Sequence, residues 1–125
     1  DIPERNYRRI VFEDELAGVY SIFDVFVQAS IDTSIEAFGQ TYVEALAVGV
    51  PSVFTKSGIA DEFIEHGRNA IVVPFENSEA ILNGICELLE NAKLRDKIVA
   101  EGINDVKKRF SIQQMIQQLE VLYDN

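Results

Sequence analysis

Apolar and polar positions along this chain fall into blocks whose period switches between that of a helix and that of a strand. Arg9 to Phe12 is a short β-prone run ending at the acidic Glu13-Asp14-Glu15, and it predicts a first strand. From there Leu16, Val19, Tyr20 and Phe23 recur at helical spacing. Val25-Phe26-Val27 is continuously apolar, as in a strand covered on both faces. Ser52 to Thr55 and Ala70 to Val73 read as two further strands, separated by a short helix around Asp61 to Glu65 and a turn at His66-Gly67-Arg68-Asn69. The last fifty residues read as helical. Ser78 is the predicted N-cap of a helix with an apolar stripe of Ile81, Leu82, Ile85, Leu88 and Leu89. A second helix runs from about Leu94, with Lys107, Lys108 and Arg109 suited to its C-terminus. Ser111 with Gln114 fits a capping box for a third, whose stripe of Ile112, Met115, Ile116, Leu119 and Leu122 is assigned to the core.

Strands alternating with helices imply right-handed crossovers, and hence a parallel sheet whose strand carboxyl ends share one rim. The pattern gives one α/β domain over residues 1–125, a partial Rossmann-like unit of about four parallel strands flanked by helices, with a helical C-terminal third. Ligands of such open sheets sit in the crevice at that rim. The rim gathers Ser30 to Gly39, Lys56 to Ala60, and Pro74 to Asn77.

The first of these loops runs into the segment Glu36-Ala37-Phe38-Gly39-Gln40-Thr41-Tyr42-Val43-Glu44-Ala45-Leu46-Ala47, closed by Gly49-Val50-Pro51. A helix starting near Gln40 leaves its first backbone N–H groups unpaired, and their partial positive charge favours an anion such as phosphate. Gly39 has no Cβ and lets a ligand approach that backbone closely. Gly49 and Pro51 then end the helix in the usual order. Glu36 lies in the entry loop and Glu44 inside the helix. Eight helical positions correspond to ~12 Å at ~1.5 Å per residue, too far for two carboxylates to share a proton. They can instead hold two parts of one extended polar ligand, since a carboxylate accepts two hydrogen bonds from vicinal hydroxyls of a sugar or ribose. Spacing alone favours a pair of solvated surface acids in a chain with 21 acidic residues.

Composition narrows the choice of ligand. A length of 125 residues with 47% hydrophobic and 26% charged residues fits one globular domain. A net charge of −10 argues against nucleic acid, or an anionic membrane, as partner of the exposed surface. The single Cys86 excludes an internal disulfide and, lying in an apolar helical pattern, reads as a buried thiol in a reducing compartment. With neither a signal peptide nor an apolar run long enough to span a bilayer, the expected location is cytoplasmic. His66 has no Cys, His or carboxylate at metal-ligand spacing and reads as a structural turn residue. Lys56 on the rim is within reach of a phosphate, but also reads as an ordinary solvated lysine.

Glu-Ala-Phe-Gly, then Gln-Thr-Tyr-Val-Glu-Ala-Leu-Ala, then Gly-Val-Pro resembles the signature of retaining nucleotide-sugar glycosyltransferases of the GT-B architecture, family 4 or group 1 type. That signature has two glutamates separated by seven residues, as Glu36 and Glu44 are here. The resemblance extends upstream through Leu16 to Val27 and downstream through Gly58, Asp61-Glu62, Asn69 to Pro74 and Arg109-Phe110-Ser111. It implies that Glu36 is catalytic, contacting the donor sugar hydroxyls, and that Glu44 holds the ribose. It also implies that Phe38, Gly39, Gln40 and Thr41 present their backbone to the sugar and diphosphate, where a helix start stabilises charge developing on the leaving nucleoside diphosphate. The implied partner is a nucleotide-sugar donor, used as substrate with no cofactor and no metal. The implied piece is the C-terminal part of the donor-binding domain, without the N-terminal acceptor domain and inactive alone.

Two departures accompany the match. After the third strand the family often has two glycines and a glutamate, whereas Ser57-Gly58-Ile59-Ala60-Asp61-Glu62 has one glycine and two adjacent acids. No counterpart of the basic residues that clamp the diphosphate precedes Arg9. The alternative reading is a receiver-like phosphoacceptor signalling domain, which Glu13-Asp14 and Thr55 partly mimic. That reading lacks an aspartate at the end of the central strand, where Gln28 stands, and leaves the segment from Glu36 to Pro51 unexplained.

Overall fold

The computed structural model describes residues 2–123. Among them, a 3-10 turn at Glu4–Asn6 precedes α1 (Leu16–Ser21), β1 (Phe26–Gln28), α2 (Gln40–Val48), β2 (Ser52–Phe54), α3 (Ala60–Phe63), β3 (Ile71–Val72), α4 (Ser78–Glu90), α5 (Ala92–Arg109) and α6 (Ile112–Tyr123). The sheet order is β1-β2-β3 and both pairings are parallel. Val53 stands opposite Val27 on one side and Ile71 on the other, and Gln28 stands opposite Phe54.

Successive side chains of a strand point to opposite faces, and β2 is buried on both. Val53 joins Ile71, Val73, Leu88 and Ile98 beneath α4 and the start of α5. Phe54 joins Tyr42, Leu46, Phe63 and Ile64 on the opposite face, beneath α2 and α3. The result is a helix–sheet–helix sandwich. Helices approach closely where side chains are missing: a Cβ on Gly84 of α4 would lie 2.9 Å from Ile71, and one on Gly102 of α5 would lie 2.9 Å from Leu46. Helix α2 ends at Gly49, whose φ of 84° and N–H bond to the Leu46 carbonyl close the last turn.

A buried polar knot ties the turn before β3 to α5. Asn69 is fully buried and donates to Asp105 Oδ2 at 2.7 Å and to the Phe63 carbonyl at 2.8 Å, while accepting from the Glu65 N–H at 2.8 Å. Arg68 Nη2 reaches the same Asp105 oxygen at 2.7 Å. Burial by itself would raise the Asp105 carboxyl; the bonds from Arg68 and Asn69 outweigh it and hold the group below the usual carboxylate range.

The structure corrects several sequence expectations. Three strands form where about four were expected, because Arg9 to Phe12 lies outside the sheet with Ile10, Val11 and Phe12 exposed. A strand exists only when its backbone groups find a neighbour, and β propensity supplies none. The α4 cap is Asn77, whose side chain accepts from the Ala80 N–H, and not Ser78; α5 begins at Ala92, capped by Asn91. Of the α4 stripe, Leu88 is buried while Leu82 and Leu89 are exposed, and Cys86 is half-buried. The stripe of α6 is exposed throughout, with no buried residue among Ile112, Met115, Ile116, Leu119 and Leu122. Its N-terminal cap is as expected, the Gln114 N–H donating to Ser111 Oγ at 3.1 Å. Periodicity shows that α6 has an apolar face but carries no information about what covers it.

Candidate functional site

The carboxyl end of β1 and the amino end of α2 meet at a pocket of about 590 Å³ lined by Gln28, Glu36, Ala37, Phe38, Gly39, Gln40 and Thr41. Gly39 occupies the N-cap position with φ 84° and ψ 58°, a left-handed conformation that glycine adopts without penalty. The space at Gly39 is also committed, since a Cβ there would lie 2.6 Å from the Tyr42 ring. That ring is fully buried, edge-on to Phe54 at 4.7 Å, and its hydroxyl donates to the Thr55 carbonyl at 2.9 Å. Among the described residues no side chain caps α2, and Tyr42 is the first whose N–H bonds back, to the Gly39 carbonyl. Gln40 and Thr41 line the pocket and their N–H groups are left without a partner in the helix, as anion-attracting donors.

The pocket wall is braced by the β2–α3 connection. Ser57 Oγ accepts from the Glu36 N–H at 3.2 Å and donates to the Thr33 carbonyl at 3.1 Å. The Ile59 N–H donates to the Phe38 carbonyl at 2.8 Å, and Gly58 packs so closely that a Cβ would lie 2.7 Å from that carbonyl oxygen. Of the three rim loops expected from sequence, Ser30 to Gly39 and Lys56 to Ala60 are therefore joined; Pro74 to Asn77 does not line this pocket.

Glu36 is half-buried and accepts from Gln28 Nε2 at 2.8 Å. Thr41 Oγ1 bonds to Gln28 Oε1 at 2.7 Å. Glu44, half-buried one turn further along α2, accepts from the Tyr20 hydroxyl at 3.0 Å. It opens on a separate, smaller depression of about 180 Å³ bounded by Leu16, Ala17, Tyr20, Glu44, Ala47 and Val48. Burial, then the hydrogen bond to Glu44 and the charge of that carboxylate, push the Tyr20 hydroxyl up to about 12. The structure thus gathers Glu36, Phe38, Gly39, Gln40 and Thr41 in one pocket and leaves Glu44 beside it. Gln28 and Ser57 went unassigned from sequence; the signal for Gln28 was a polar residue closing an apolar run at the rim.

Of the adjacent acids, Asp61 pairs with Lys56 at 3.2 Å beside the bracing loop. Glu62 lines a groove with Lys108, Arg109 and Phe110 at the α5–α6 junction. His66 Nδ1 accepts from the Val72 N–H at 3.1 Å, a structural role.

The sequence profile described as glycosyl transferases group 1 matches residues 7–105. The chain belongs to the group 1 glycosyl transferases. Its similarity to a Mycobacterium tuberculosis GDP-mannose-dependent alpha-(1-6)-phosphatidylinositol monomannoside mannosyltransferase is 33% identity over 98 residues, 74% of this chain and 24% of that protein. Among solved structures, Anabaena HepE in complex with UDP-glucose superposes with a TM-score of 0.80 at 28% identity, over 91% of this chain and 31% of that one. The C-terminal domain of a group 1 glycosyl transferase from Francisella tularensis superposes with a TM-score of 0.73 at 29% identity, over 85% and 53%. The chain thus spans between about a quarter and three tenths of the length of three curated relatives that it matches. This group 1 glycosyl transferase domain is not a receiver domain: its Thr55 hydroxyl is buried and committed to Ser30, and Lys56 is paired with Asp61.

Proposed function

We propose that the pocket is the donor subsite of a retaining glycosyltransferase, holding a nucleotide sugar with its diphosphate at the amino end of α2 and its sugar against Glu36. The observation that carries this is the arrangement around Gly39: uncapped N–H groups, a left-handed glycine and a glutamate carboxylate lining one cavity. A volume of about 590 Å³ is within the usual range for small-molecule sites. What the lining residues of this chain contribute to anion binding is backbone donors and the helix dipole.

In this reading Glu36 accepts hydrogen bonds from sugar hydroxyls and stabilises positive charge developing at the reacting carbon. The helix terminus stabilises the departing nucleoside diphosphate. Glu44 lies three positions beyond Thr41, ~4.5 Å along the helix axis, on the separate depression beside Tyr20, and is assigned the ribose on the family resemblance alone. One of Asp61 and Glu62, which follow β2, fills the acidic position that the family has there. No metal is given a role in the step. Transfer is placed in a longer chain that carries an acceptor-binding N-terminal domain, this domain alone being inactive. The half-buried lone Cys86 fits a reducing compartment and is the ground for reading the protein as cytoplasmic. No described helix is long and apolar enough to cross a membrane.

The test is a pair of substitutions in the full-length enzyme. Glu36→Gln lowers the transfer rate far more than it weakens nucleoside diphosphate binding, whereas Glu44→Ala weakens that binding. Equal and negligible effects of both on transfer and on calorimetric affinity overturn the reading.

A further inference from the structure

Gln28 sits where the sheet meets the pocket, and its two side-chain hydrogen bonds form a directed chain. Its backbone is fixed by the parallel ladder: Gln28 stands opposite Phe54, and its carbonyl accepts from the Thr55 N–H at 3.1 Å. The side chain therefore leaves a rigid strand end, half-buried, between the entry loop and the first turn of α2. An amide has one donor end and one acceptor end, while a carboxylate only accepts, so the Nε2 end must face Glu36. The Oε1 end then faces Thr41, whose hydroxyl must donate. The order is Thr41 Oγ1–H to Gln28 Oε1 at 2.7 Å, then Gln28 Nε2–H to Glu36 Oε1 at 2.8 Å.

We propose that Gln28 is a positioning residue that fixes the Glu36 carboxylate and spends the Thr41 hydroxyl proton, leaving Glu36 and the Thr41 oxygen as acceptors on that side of the pocket. Resting on the donor-site reading above, this deepens it: the pocket is sorted by polarity. Glu36 Oε2 and the Thr41 oxygen take hydrogen-bond donors, which means ring hydroxyls of a sugar, and repel phosphate oxygens. The N–H groups of Gln40 and Thr41 take the phosphate. The chain of bonds thereby sets which end of the donor enters which half of the cavity, and makes the site prefer a sugar nucleotide over the bare nucleoside diphosphate.

Gln28→Met keeps length and volume but removes both hydrogen bonds, and is compared with wild type in the full-length enzyme by calorimetry with UDP, UDP-glucose, GDP and GDP-mannose. For whichever pair binds, the variant is expected to bind the sugar nucleotide about tenfold more weakly, one charge-assisted hydrogen bond. Its affinity for the matching nucleoside diphosphate is expected to stay within twofold. In a Glu36→Gln background the further loss on Gln28→Met should be under twofold, because Gln28 acts through Glu36. Independently of any ligand, the Gln28 side-chain amide resonances in labelled protein should shift on Glu36→Gln and again on Thr41→Val. Equal losses for sugar nucleotide and diphosphate, full additivity with Glu36→Gln, or amide resonances indifferent to both substitutions overturn the inference. Wild type that binds none of the four overturns the donor-site reading instead, and the amide resonances then decide whether the Thr41–Gln28–Glu36 chain exists.

Discussion

Replacing Gly39 with alanine tests whether the entrance to α2 is built as described. Two costs add. The backbone at φ 84° is left-handed, which costs an L-residue about 1–2 kcal/mol. The new methyl would also stand 2.6 and 2.7 Å from two atoms of the Tyr42 ring. That ring has little room to retreat, being wedged edge-on against Phe54 and tethered by its hydroxyl to the Thr55 carbonyl. Overpacking of that kind costs about 1–3 kcal/mol. The sum is ~2–5 kcal/mol, which for a domain of this size lowers Tm by roughly 8–20 °C. Gly67→Ala supplies the control, because Gly67 is also left-handed, at φ 69°, but a Cβ there meets nothing within 4 Å. It should cost only the ~1–2 kcal/mol of backbone strain. Urea denaturation followed by circular dichroism measures both. A Gly39→Ala domain no less stable than Gly67→Ala would refute the steric account of the pocket entrance.

Tyr20 and Asp105 give opposite pH signatures. The Tyr20 hydroxyl sits at about 12 against an ordinary 10, so its contribution is complete below pH 10 and is lost as pH rises towards 12. Tyr20→Phe should flatten the alkaline limb of a stability profile. An unchanged alkaline slope would show that the buried Tyr20 hydroxyl does not set it. The Asp105 carboxyl is held below its ordinary range, so its contribution is complete above about pH 4 and is lost as pH falls through the depressed value. Asp105→Asn leaves Arg68 without its buried carboxylate and should cost ~3 kcal/mol at neutral pH while flattening the acid limb. Neutral-pH stability equal to wild type would show the knot to be idle.

Local chemistry was legible in the sequence, and long-range supply was not. The bounds of α2 follow from residues within it and beside it, since Gly39 and Gly49 both take left-handed backbone and Pro51 prevents continuation. The pocket residues Glu36 to Thr41 were legible for the same reason, being contiguous in the chain. Arg9 to Phe12 has the composition of a strand, but pairing depends on a neighbour that no local pattern encodes. The apolar stripes of α4 and α6 raise the same problem: Leu88 meets Val53 and Ile71, whereas Leu82 and the whole α6 stripe meet solvent. Asn77 outcompeted Ser78 as a cap by one position, a choice made by backbone geometry rather than residue type. Gln28 could be noticed as a polar residue closing an apolar run, but its two partners, 8 and 13 residues away, are brought to it only by folding.

The bracing of the pocket wall by Ser57, Gly58 and Ile59 bears on how such enzymes diversify. The loop that lines the pocket does not stand on its own; its shape is moulded by a segment some twenty positions later in the chain, through a hydroxyl shared with Glu36 and Thr33 and a backbone bond to Phe38. A transplant of residues 30–39 into a related scaffold would therefore arrive without its mould. Recombination that carries the cavity intact has to move both segments together, and an insertion after Lys56 would reshape it without touching any residue that lines it.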